Sequence, residues 1–463
     1  MTAPVAQSRR WLGVPVGEGP PWTDLAVADQ LFGQFRSDLV GIVTGVNQHL
    51  RDVDDVRAFS VGASMCETTH LLGKRCTATN GGGALRERAA VVAAIAETVE
   101  RYSAAYRPED AVIQASWREL AARGDNAVSP RQLRLFTDAQ LTEPGFPFVG
   151  FTDNLPISWV SGIDLASGER TWLPASLIFL SAQSPEPAGP IGYGTSNGLA
   201  AGCTWDEAAL SGLLELVERD GFCTAWHNGL SMPQIDPASD PEVSAFFDRH
   251  VRPTGLPVTL VDLSSFSQVP AVLAVVRNEH NDIAPIGLGA AAAGDPKRAI
   301  VKAVIEAFQT RAWMRAEQRA GTTLPPDTDF TATIRSFDDH VRLYSGPGLI
   351  EHTRFLDADS DRIAVGDMPA VPGGRPRQVL LGVLDRLAGQ GIEVYLADAT
   401  SPDVRAAGAV VARAFAPALV PLDSWYRARP LGVPRLRQRP AELGLLPRPL
   451  RDEELTVYPH PFP

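Results

Sequence analysis

The sequence predicts an α/β protein of the mixed α+β kind, in which helices and strands intermix along the whole chain. Residues 86–106 contain no proline or glycine and are rich in alanine, which predicts a long helix. Thr204-Trp205-Asp206-Glu207 has the form of a capping box, so a second long helix is expected from there to about residue 226. Residues 157–165 and 170–173 alternate around a turn, which predicts a β-hairpin.

A third long helix and several shorter elements follow from the same kinds of pattern. Asp295 as N-cap and Pro296 at the first helical position predict a helix that runs to about residue 318. Residues 320–377 are broken by proline and glycine and are expected to be mostly loop. The remaining predicted elements are strands over 258–263, 271–276 and 392–397 and helices over 334–343 and 379–387.

Composition excludes several classes of function. The chain has 463 residues, of which 44% are hydrophobic, and this is ample for a sizeable core. A net charge of −12 argues against a protein that coats nucleic acid or a membrane surface. No apolar run approaches the ~20 residues of a membrane span, and no signal peptide is visible, so we expect a cytoplasmic protein. The four cysteines form no Cys-x-x-Cys pair, which argues against a structural zinc site or a disulfide framework.

The chain contains nearly the same five residues twice, Glu-Thr-Val-Glu-Arg at 97–101 and Glu-Leu-Val-Glu-Arg at 215–219. In both copies two carboxylates lie at i and i+3 on one helical face, and an alanine stands seven residues before the first of them. A weaker third copy keeps Glu306 and Gln309 at the same spacing, with Arg311 close behind. A repeated helix that carries acids predicts one polyanionic site shared by several helices.

The second of these helices is apolar on most other sides, so its carboxylates are expected inside the protein. Buried carboxylates are strongly destabilising unless cations neutralise them. A single Glu-x-x-Glu-Arg segment is usually a solvated face with a weak ion pair, but the repetition favours a site. Glu97, Glu100, Glu215 and Glu218 are therefore candidate Mg²⁺ ligands, completed by phosphate.

Other residues near these helices suit the phosphate. Arg101, Arg219 and Arg311 could neutralise phosphate oxygens, and the glycine-rich loop over residues 192–198 could offer backbone N–H groups. Neither the P-loop pattern nor the dinucleotide-binding glycine fingerprint is present. The spacing therefore predicts a metal–phosphate site for a nucleotide, without naming the reaction.

Several stretches of the chain together resemble the YcaO family. The joint set of motifs is far more specific than any single copy, and the resemblance covers roughly residues 38–463. It implies a YcaO-like fold in which repeated helix–sheet units enclose a site for ATP and Mg²⁺. The stretches that carry the resemblance are residues 94–102, 195–220, 306–311, 337–344 and 394–404.

The chain ends in Pro459-x-Pro461-x-Pro463, which is similar to the terminal proline motif of the azoline-forming branch of that family. The resemblance therefore implies an ATP-dependent cyclodehydratase for thiazole/oxazole-modified peptides. In such enzymes a Cys, Ser or Thr side chain of a precursor peptide attacks the preceding carbonyl carbon. ATP phosphorylates the resulting oxyanion, and loss of phosphate leaves a thiazoline or oxazoline. The motif gives Pro459, Pro461 and Pro463 a catalytic role, through a tail that reaches the active site.

The same resemblance assigns roles to individual residues. Glu97, Glu100, Glu215 and Glu218 match the metal-binding acids. The positions that match nucleotide contacts are Glu207, Ser211, Arg219, Gln309, Arg311 and Arg101.

Three positions depart from the family pattern. The usual Gly-Lys-Gly appears here as Gly81-Gly82-Gly83, without the Lys. Ala93 stands in place of Ser, and Cys203 in place of Asn. These departures motivate one alternative, a non-catalytic scaffold of a synthetase complex. A second alternative keeps the ATP site but takes an external sulfide or amine as nucleophile, giving a thioamide or amidine. A third, Cys203 or Cys223 acting as nucleophile with His227, is the weakest, because a core pair explains that spacing.

The predicted organisation is an N-terminal segment (1–72), a YcaO-like catalytic domain (73–445) and a Pro-rich tail (446–463). About 80 residues precede the first motif, too few for the ubiquitin-activating-enzyme-like domain that binds the leader peptide in fused family members. We therefore expect a separate leader-binding partner, a precursor peptide as substrate, and a flavin-dependent azoline dehydrogenase if the rings are oxidised. No nucleic-acid or membrane partner is expected, and a homodimer stays open.

Overall fold

The structure is a computed structural model that describes residues 18–69, 79–108, 111–180 and 188–462. It also gives the backbone of a two-stranded ribbon formed by Arg10–Trp11 and Val14–Pro15. The fold is mixed α/β, which confirms the predicted class. Within the described ranges, no helix combines the length and the apolar composition that crossing a bilayer requires.

Three helices are much longer than the others and carry the three acidic repeats. They are the first acidic helix (Glu87–Ala105), the second acidic helix (Trp205–His227) and the third repeat helix (Pro296–Ala320). Their bounds agree with the prediction to within two residues. Among the described residues, the shorter α-helices are Leu25–Gly33, Trp117–Ala122, Asp138–Thr142, Ala175–Ile178, Pro241–Phe246, Phe330–Thr333, Phe337–Tyr344, Pro376–Ala388, Pro402–Ala406 and Arg435–Glu442.

Three larger sheets position these helices, and nearly all of their strand pairs are antiparallel. The first sheet has the order Val43–Gln48, Phe59–Met65, Thr79–Ala84. The second has the order Val112–Ser116, Pro156–Asp164, Tyr395–Asp398, Val410–Phe415, Leu199–Gly202, and Arg170–Pro174 completes the predicted hairpin with Pro156–Asp164. The third has the order Ile286–Ala292, Ala271–Arg277, Val258–Asp262, Gln234–Asp236, Arg362–Ala364, with its last pair parallel.

Each long helix follows a strand that is rich in glycine and alanine, so the repeat seen in the sequence is a strand–helix unit. Glycine lets the strand backbone lie directly on the helix. A Cβ atom on Gly82 would lie 2.3 Å from the Ala90 carbonyl oxygen, and one on Gly289 would lie 2.2 Å from the Ala307 nitrogen. The absence of these side chains therefore sets how closely each helix approaches its sheet.

The second acidic helix lies inside the largest apolar cluster, as its composition predicted. That cluster also contains Leu455 and Phe462, so the Pro-rich tail packs as part of the core. Phe462 has no exposed surface.

The capping box predicted at the start of the second acidic helix is only half formed. The Thr204 hydroxyl accepts a hydrogen bond from the Glu207 N–H at 3.3 Å, but the Glu207 carboxylate does not return to the N-cap. It instead accepts hydrogen bonds from the Thr23 N–H at 2.6 Å and the Thr23 hydroxyl at 3.0 Å. Two donors on one distant residue replace the single local donor of the box.

Gly82→Ala tests the close strand–helix contact. The added methyl group would meet helix backbone, which cannot rotate away, so we expect the free energy of unfolding to fall by about 1–3 kcal/mol. Gly81→Ala is the matched control, because a Cβ atom there meets nothing within 4 Å. Chemical denaturation of the two variants gives the comparison. Equal stability of both would contradict the proposed role of Gly82.

Candidate active site

Five carboxylates form one group between the three long helices, and we call them the carboxylate cluster. Glu97 and Glu100 come from the first acidic helix, Glu215 and Glu218 from the second, and Glu306 from the third repeat helix. The charge of Glu215 acts on each of the other four, which places it between the two ends of the group. The convergence expected from the repeats is therefore present.

Water reaches the members of the cluster unequally. The Glu218 side chain is 3% exposed and that of Glu100 is 13% exposed, whereas Glu97 and Glu215 are exposed by 33% and 22%. Burial raises the pKa of Glu97 and Glu218, and it raises that of Glu100 well above the usual value. Repulsion from Glu215 raises all three further. Carboxylates in this condition favour any cation that enters between them.

Glu306 is a member of the cluster that the sequence analysis did not assign to the site. Burial, followed by repulsion from Glu218, raises its pKa to about 8. The signal was present, because Glu306 occupies in the third repeat the position that Glu97 and Glu215 occupy in the first two.

Each Glu-x-x-Glu-Arg core folds in the same way, with the arginine against its own two acids. Arg101 lies 3.3 Å from Glu97 and 3.4 Å from Glu100. Arg219 lies 3.4 Å from Glu218. Each of the two acidic helices thus brings an arginine close to its own pair of carboxylates.

The donor set of the cluster fits Mg²⁺ and the phosphates of ATP. Arg219 Nη1 is buried and, within the described part of the chain, has no hydrogen-bond acceptor, whereas the buried Nε atoms of Arg101 and Arg219 have only ion-pair contacts at 3.4 Å without hydrogen-bond geometry. A buried guanidinium N–H without an acceptor is destabilising, and a phosphate oxygen would satisfy it. Glutamate oxygens are the ligand type that Mg²⁺ prefers, and such sites are completed by substrate phosphates. The residues that would hold the metal are Glu97, Glu100, Glu215 and Glu218.

Arg413 is a second site residue that the sequence analysis missed. It lies on Val410–Phe415, is 4% exposed, and donates hydrogen bonds to the carbonyl oxygens of Thr195 at 2.6 Å and Leu177 at 2.9 Å. Burial lowers its pKa to about 10, while Glu215 and Glu100 act to raise it. A single charged residue in an otherwise apolar strand was the available signal.

Three predicted nucleotide contacts lie on the same helices as the cluster, two on the second acidic helix and one on the third repeat helix. Glu207 is bound by Thr23, and Ser211 is exposed one helical turn before Glu215. Gln309 lies against Gly83, where a Cβ atom would be 2.5 Å from its Oε1 atom. Their contact with nucleotide stays a prediction.

Arg311 does not pair with the carboxylate cluster in the described residues. Its side chain is fully buried, and its Nη2 atom donates a 2.6 Å hydrogen bond to Asp54. Arg101 is four residues after Glu97, but Arg311 is five residues after Glu306, which turns it by about 100° around the helix. Its Nε and Nη1 atoms are buried and have no hydrogen-bond acceptor among the described residues, so the predicted phosphate contact of Arg311 stays a prediction.

The C-terminal tail is anchored deep in the protein. The Tyr344 hydroxyl donates to the Pro459 carbonyl oxygen at 2.7 Å, and His340 Nδ1 lies 2.7 Å from the His460 carbonyl oxygen. His460 Nε2 in turn lies 2.7 Å from the Asp423 carbonyl oxygen. These buried bonds fix the course of the tail.

The tail reaches the carboxylate cluster through one side chain. The Phe462 ring lies 4.8 Å from the Phe222 ring and 4.5 Å from the Arg219 guanidinium carbon. Arg219 therefore joins the tail to the acids of the second helix. Pro461 is buried beside this contact, and Pro463 lies outside the described residues.

His340, Asp423 and His460 offer ligand atoms within 4.8 Å of one another, but the ring geometry does not suit a metal. The two imidazoles are stacked, with centroids 4.1 Å apart and planes 21° from parallel. Because imidazole lone pairs lie in the ring planes, stacked rings cannot both point at one ion. Burial lowers the pKa of His460 to about 3 and also lowers that of His340, so both rings are neutral and serve as tail anchors.

Glu306→Gln tests the electrostatic state of the cluster. Because the folded pKa of Glu306, about 8, lies above its unfolded value, the stability it contributes is complete at low pH and is lost as the pH rises through 8. Between pH 6 and pH 9, we expect the melting temperature of ligand-free Glu306→Gln to fall less than that of the unaltered protein.

The control for this prediction is Glu351→Gln, whose side chain is 81% exposed. We expect it to melt like the unaltered protein at both pH values. If Glu306→Gln follows the unaltered protein as well, the carboxyl group of Glu306 is not destabilised by its surroundings.

Two solved structures are similar to this fold. A structure described as a heterocyclase in complex with substrate and cofactor aligns over 96% of this chain and 58% of its own, with a TM-score of 0.76 and 24% identity. A YcaO protein from Methanopyrus kandleri, bound with AMPPCP and Mg²⁺, aligns over 81% of this chain and 86% of its own, with a TM-score of 0.56 and 20% identity. At these identities the likeness shows the fold.

A relative from Rhizobium leguminosarum bv. trifolii, described as an uncharacterized protein in the tfuA 3′ region, is 35% identical over 167 residues. That alignment covers 34% of this chain and 39% of the relative. The chain thus spans well under two thirds of the length of this relative and of the heterocyclase.

Family membership rests on a longer match. Residues 80–420 match the family described as YcaO cyclodehydratase, ATP- and Mg²⁺-binding. This range contains all three long helices and every member of the carboxylate cluster. The chain belongs to the YcaO cyclodehydratase family, which binds ATP and Mg²⁺ and to which the sequence motifs had assigned it.

Proposed function

We propose that this chain is the ATP-dependent cyclodehydratase subunit that converts Cys, or Ser and Thr, of a precursor peptide to thiazoline or oxazoline. The observation that carries the proposal is the carboxylate cluster together with Arg219 Nη1, a buried donor that lacks an acceptor among the described residues. The contact between Phe462 and Arg219 supports the azoline-forming branch, since it connects the terminal proline motif to this site.

The carboxylates have the first task, which is to hold Mg²⁺. Glu215 is central, because its charge acts on the pairs at both ends of the cluster. A metal that neutralises Glu215 therefore relieves repulsion on every other member. ATP supplies the phosphoryl group that turns the amide oxygen of the peptide into a leaving group.

The arginines have the second task, which is to orient phosphate. Arg101 and Arg219 are held by ion pairs to their own helices, so both guanidinium groups, and with them the Nη1 donor of Arg219, keep fixed directions. Fixed donors stabilise charge without having to reorganise during the reaction. Phe462 packs on the Arg219 guanidinium and limits its movement from the tail side.

The peptide and protein partners belong to the same proposal. One structural neighbour is described as a heterocyclase in complex with substrate and cofactor. We infer that a separate leader-binding protein, similar to ubiquitin-activating enzymes, presents the precursor peptide. A flavin-dependent dehydrogenase would act afterwards if azolines are oxidised to azoles.

The assay that tests this function combines the protein, its leader-binding partner, the precursor peptide, ATP and Mg²⁺. We expect the peptide to lose the mass of one water per ring while phosphate is released. Exchange of oxygen for sulfur would instead indicate thioamide formation, and incorporation of an amine would indicate an amidine. Failure to consume ATP with any partner would leave the scaffold alternative.

Glu215→Gln removes the central charge of the cluster while it keeps the size of the side chain. We expect ATP consumption to be abolished, because the metal loses the ligand that links the two ends of the site. Phosphate release in the same assay measures this. The matched control is Glu87→Gln, which changes an exposed glutamate in the first turn of the first acidic helix. Turnover of Glu215→Gln equal to that of the control would remove Glu215 from the site.

A further inference from the structure

Lys302 stands at the edge of the carboxylate cluster on the third repeat helix. It lies four residues before Glu306, so the two side chains share one helical face. Its Nζ atom is 4.0 Å from Glu218 Oε2, close enough for an ion pair but too far for a hydrogen bond. The Lys302 side chain is 65% exposed, so its ammonium group can reach a ligand that enters from solvent.

Lys302 differs in charge from the residues at the same repeat position in the other two long helices. The equivalent positions, four residues before the first acid, are Ala93 in the first acidic helix and Ser211 in the second. Lysine is also rare in this chain, since arginine serves nearly everywhere else and the only other lysines are Lys74 and Lys297.

Neighbouring cations are already engaged. The Arg298 guanidinium, one turn before Lys302, lies 5.3 Å from the centre of the Trp22 ring. Arg413 is bound to two backbone carbonyl groups. Lys302 has three ammonium donors and, within the described residues, one ion-pair contact at the outer limit of distance.

Glu218 lies between Lys302 and a second cation with an unused donor. Arg219 is 3.4 Å from Glu218 on the other side, and its buried Nη1 atom has no acceptor among the described residues. Lys302 and Arg219 thus present donors on either side of the Glu218 carboxylate. A phosphate coordinated to a metal ion at Glu218 would lie within reach of both.

We propose that the Lys302 ammonium group binds a phosphate oxygen of the nucleotide, opposite Arg219 and beside Glu218. This inference rests on the proposed function and adds a nucleotide-binding residue on the third repeat helix. A lysine suits the position because it acts as a compact point charge on a flexible stem, whereas arginine prefers a fixed, two-pronged partner.

The test is the affinity of the full chain for ATP with Mg²⁺, measured by calorimetry without peptide or partner. Lys302→Met is expected to weaken binding on the order of 10- to 100-fold, as for loss of one charge-assisted hydrogen bond. Lys302→Arg, which keeps the charge, is expected to recover most of the affinity. The melting temperature of ligand-free Lys302→Arg should equal that of the unaltered protein. That of ligand-free Lys302→Met should fall only slightly, because the side chain is largely exposed although its charge attracts Glu218 and Glu306.

The matched control is Lys297→Met, which removes a lysine from the first turn of the same helix. Lys297 lies 3.0 Å from Asp240 and 3.2 Å from Glu242 and has no member of the cluster as a partner among the described residues. The ATP affinity of Lys297→Met should stay within twofold of that of the unaltered protein. If the effect of Lys302→Met came only from the lower net charge, Lys297→Met would weaken binding equally.

The outcomes distinguish a failure of the proposed role of Lys302 from a failure of the proposed function. If the unaltered protein binds ATP and Lys302→Met binds it equally well, the role of Lys302 is overturned and the proposed function stands. Equal weakening by Lys297→Met and Lys302→Met would also overturn it, because the effect would then reflect net charge. If the unaltered protein fails to bind ATP with Mg²⁺, the proposed function fails and takes this role with it.

Discussion

The rest of the structure depends on the repulsion among carboxylates that are largely withdrawn from water. Glu218 is almost completely buried, and its neighbours raise one another's pKa. An apolar side chain at any of these positions would be more stable in the empty protein. The arrangement is that of a site completed by a bound cation. The attraction of each carboxylate to a divalent metal between them outweighs their mutual repulsion.

The strand–helix repeat explains how the chain can hold such an arrangement. Each long helix is pressed on a glycine-containing strand, and these contacts involve backbone atoms that cannot rotate away. The position of each acid then follows from helical geometry alone. The tail adds a second restraint, because buried hydrogen bonds to Pro459 and His460 place Phe462 against Arg219. The C-terminal tail and the second acidic helix thus meet at the Arg219 guanidinium group.

Much of this could be predicted from the sequence, because it depends on local pattern and repetition. The three long helices, the hairpin and the convergence of Glu97, Glu100, Glu215 and Glu218 follow from helix signals and from the repeated spacing. The family also follows, since its motifs occur together.

What escaped prediction depends on contacts between distant parts of the chain. The Glu207 carboxylate bonds to Thr23 instead of its own N-cap, and the Arg311 guanidinium bonds to Asp54. Both partners lie in the N-terminal region, where no local pattern pointed to them. Arg413 comes from a strand far along the chain that pairs with Leu199–Gly202, and its hydrogen bonds to two carbonyl groups depend on tertiary packing. Glu306 was visible in the repeat, but the glutamine in place of its second acid hid its membership.

The central claim is that this cluster binds a divalent metal together with a triphosphate, and anomalous diffraction tests it most directly. Crystals of the protein grown with Mn²⁺ and a non-hydrolysable ATP analogue would locate the metal independently of any model of the ligand. The account predicts anomalous density among Glu97, Glu100, Glu215 and Glu218, with phosphate density between that metal and Arg219. Metal and nucleotide bound elsewhere, with these glutamates still facing one another without a ligand, would contradict it.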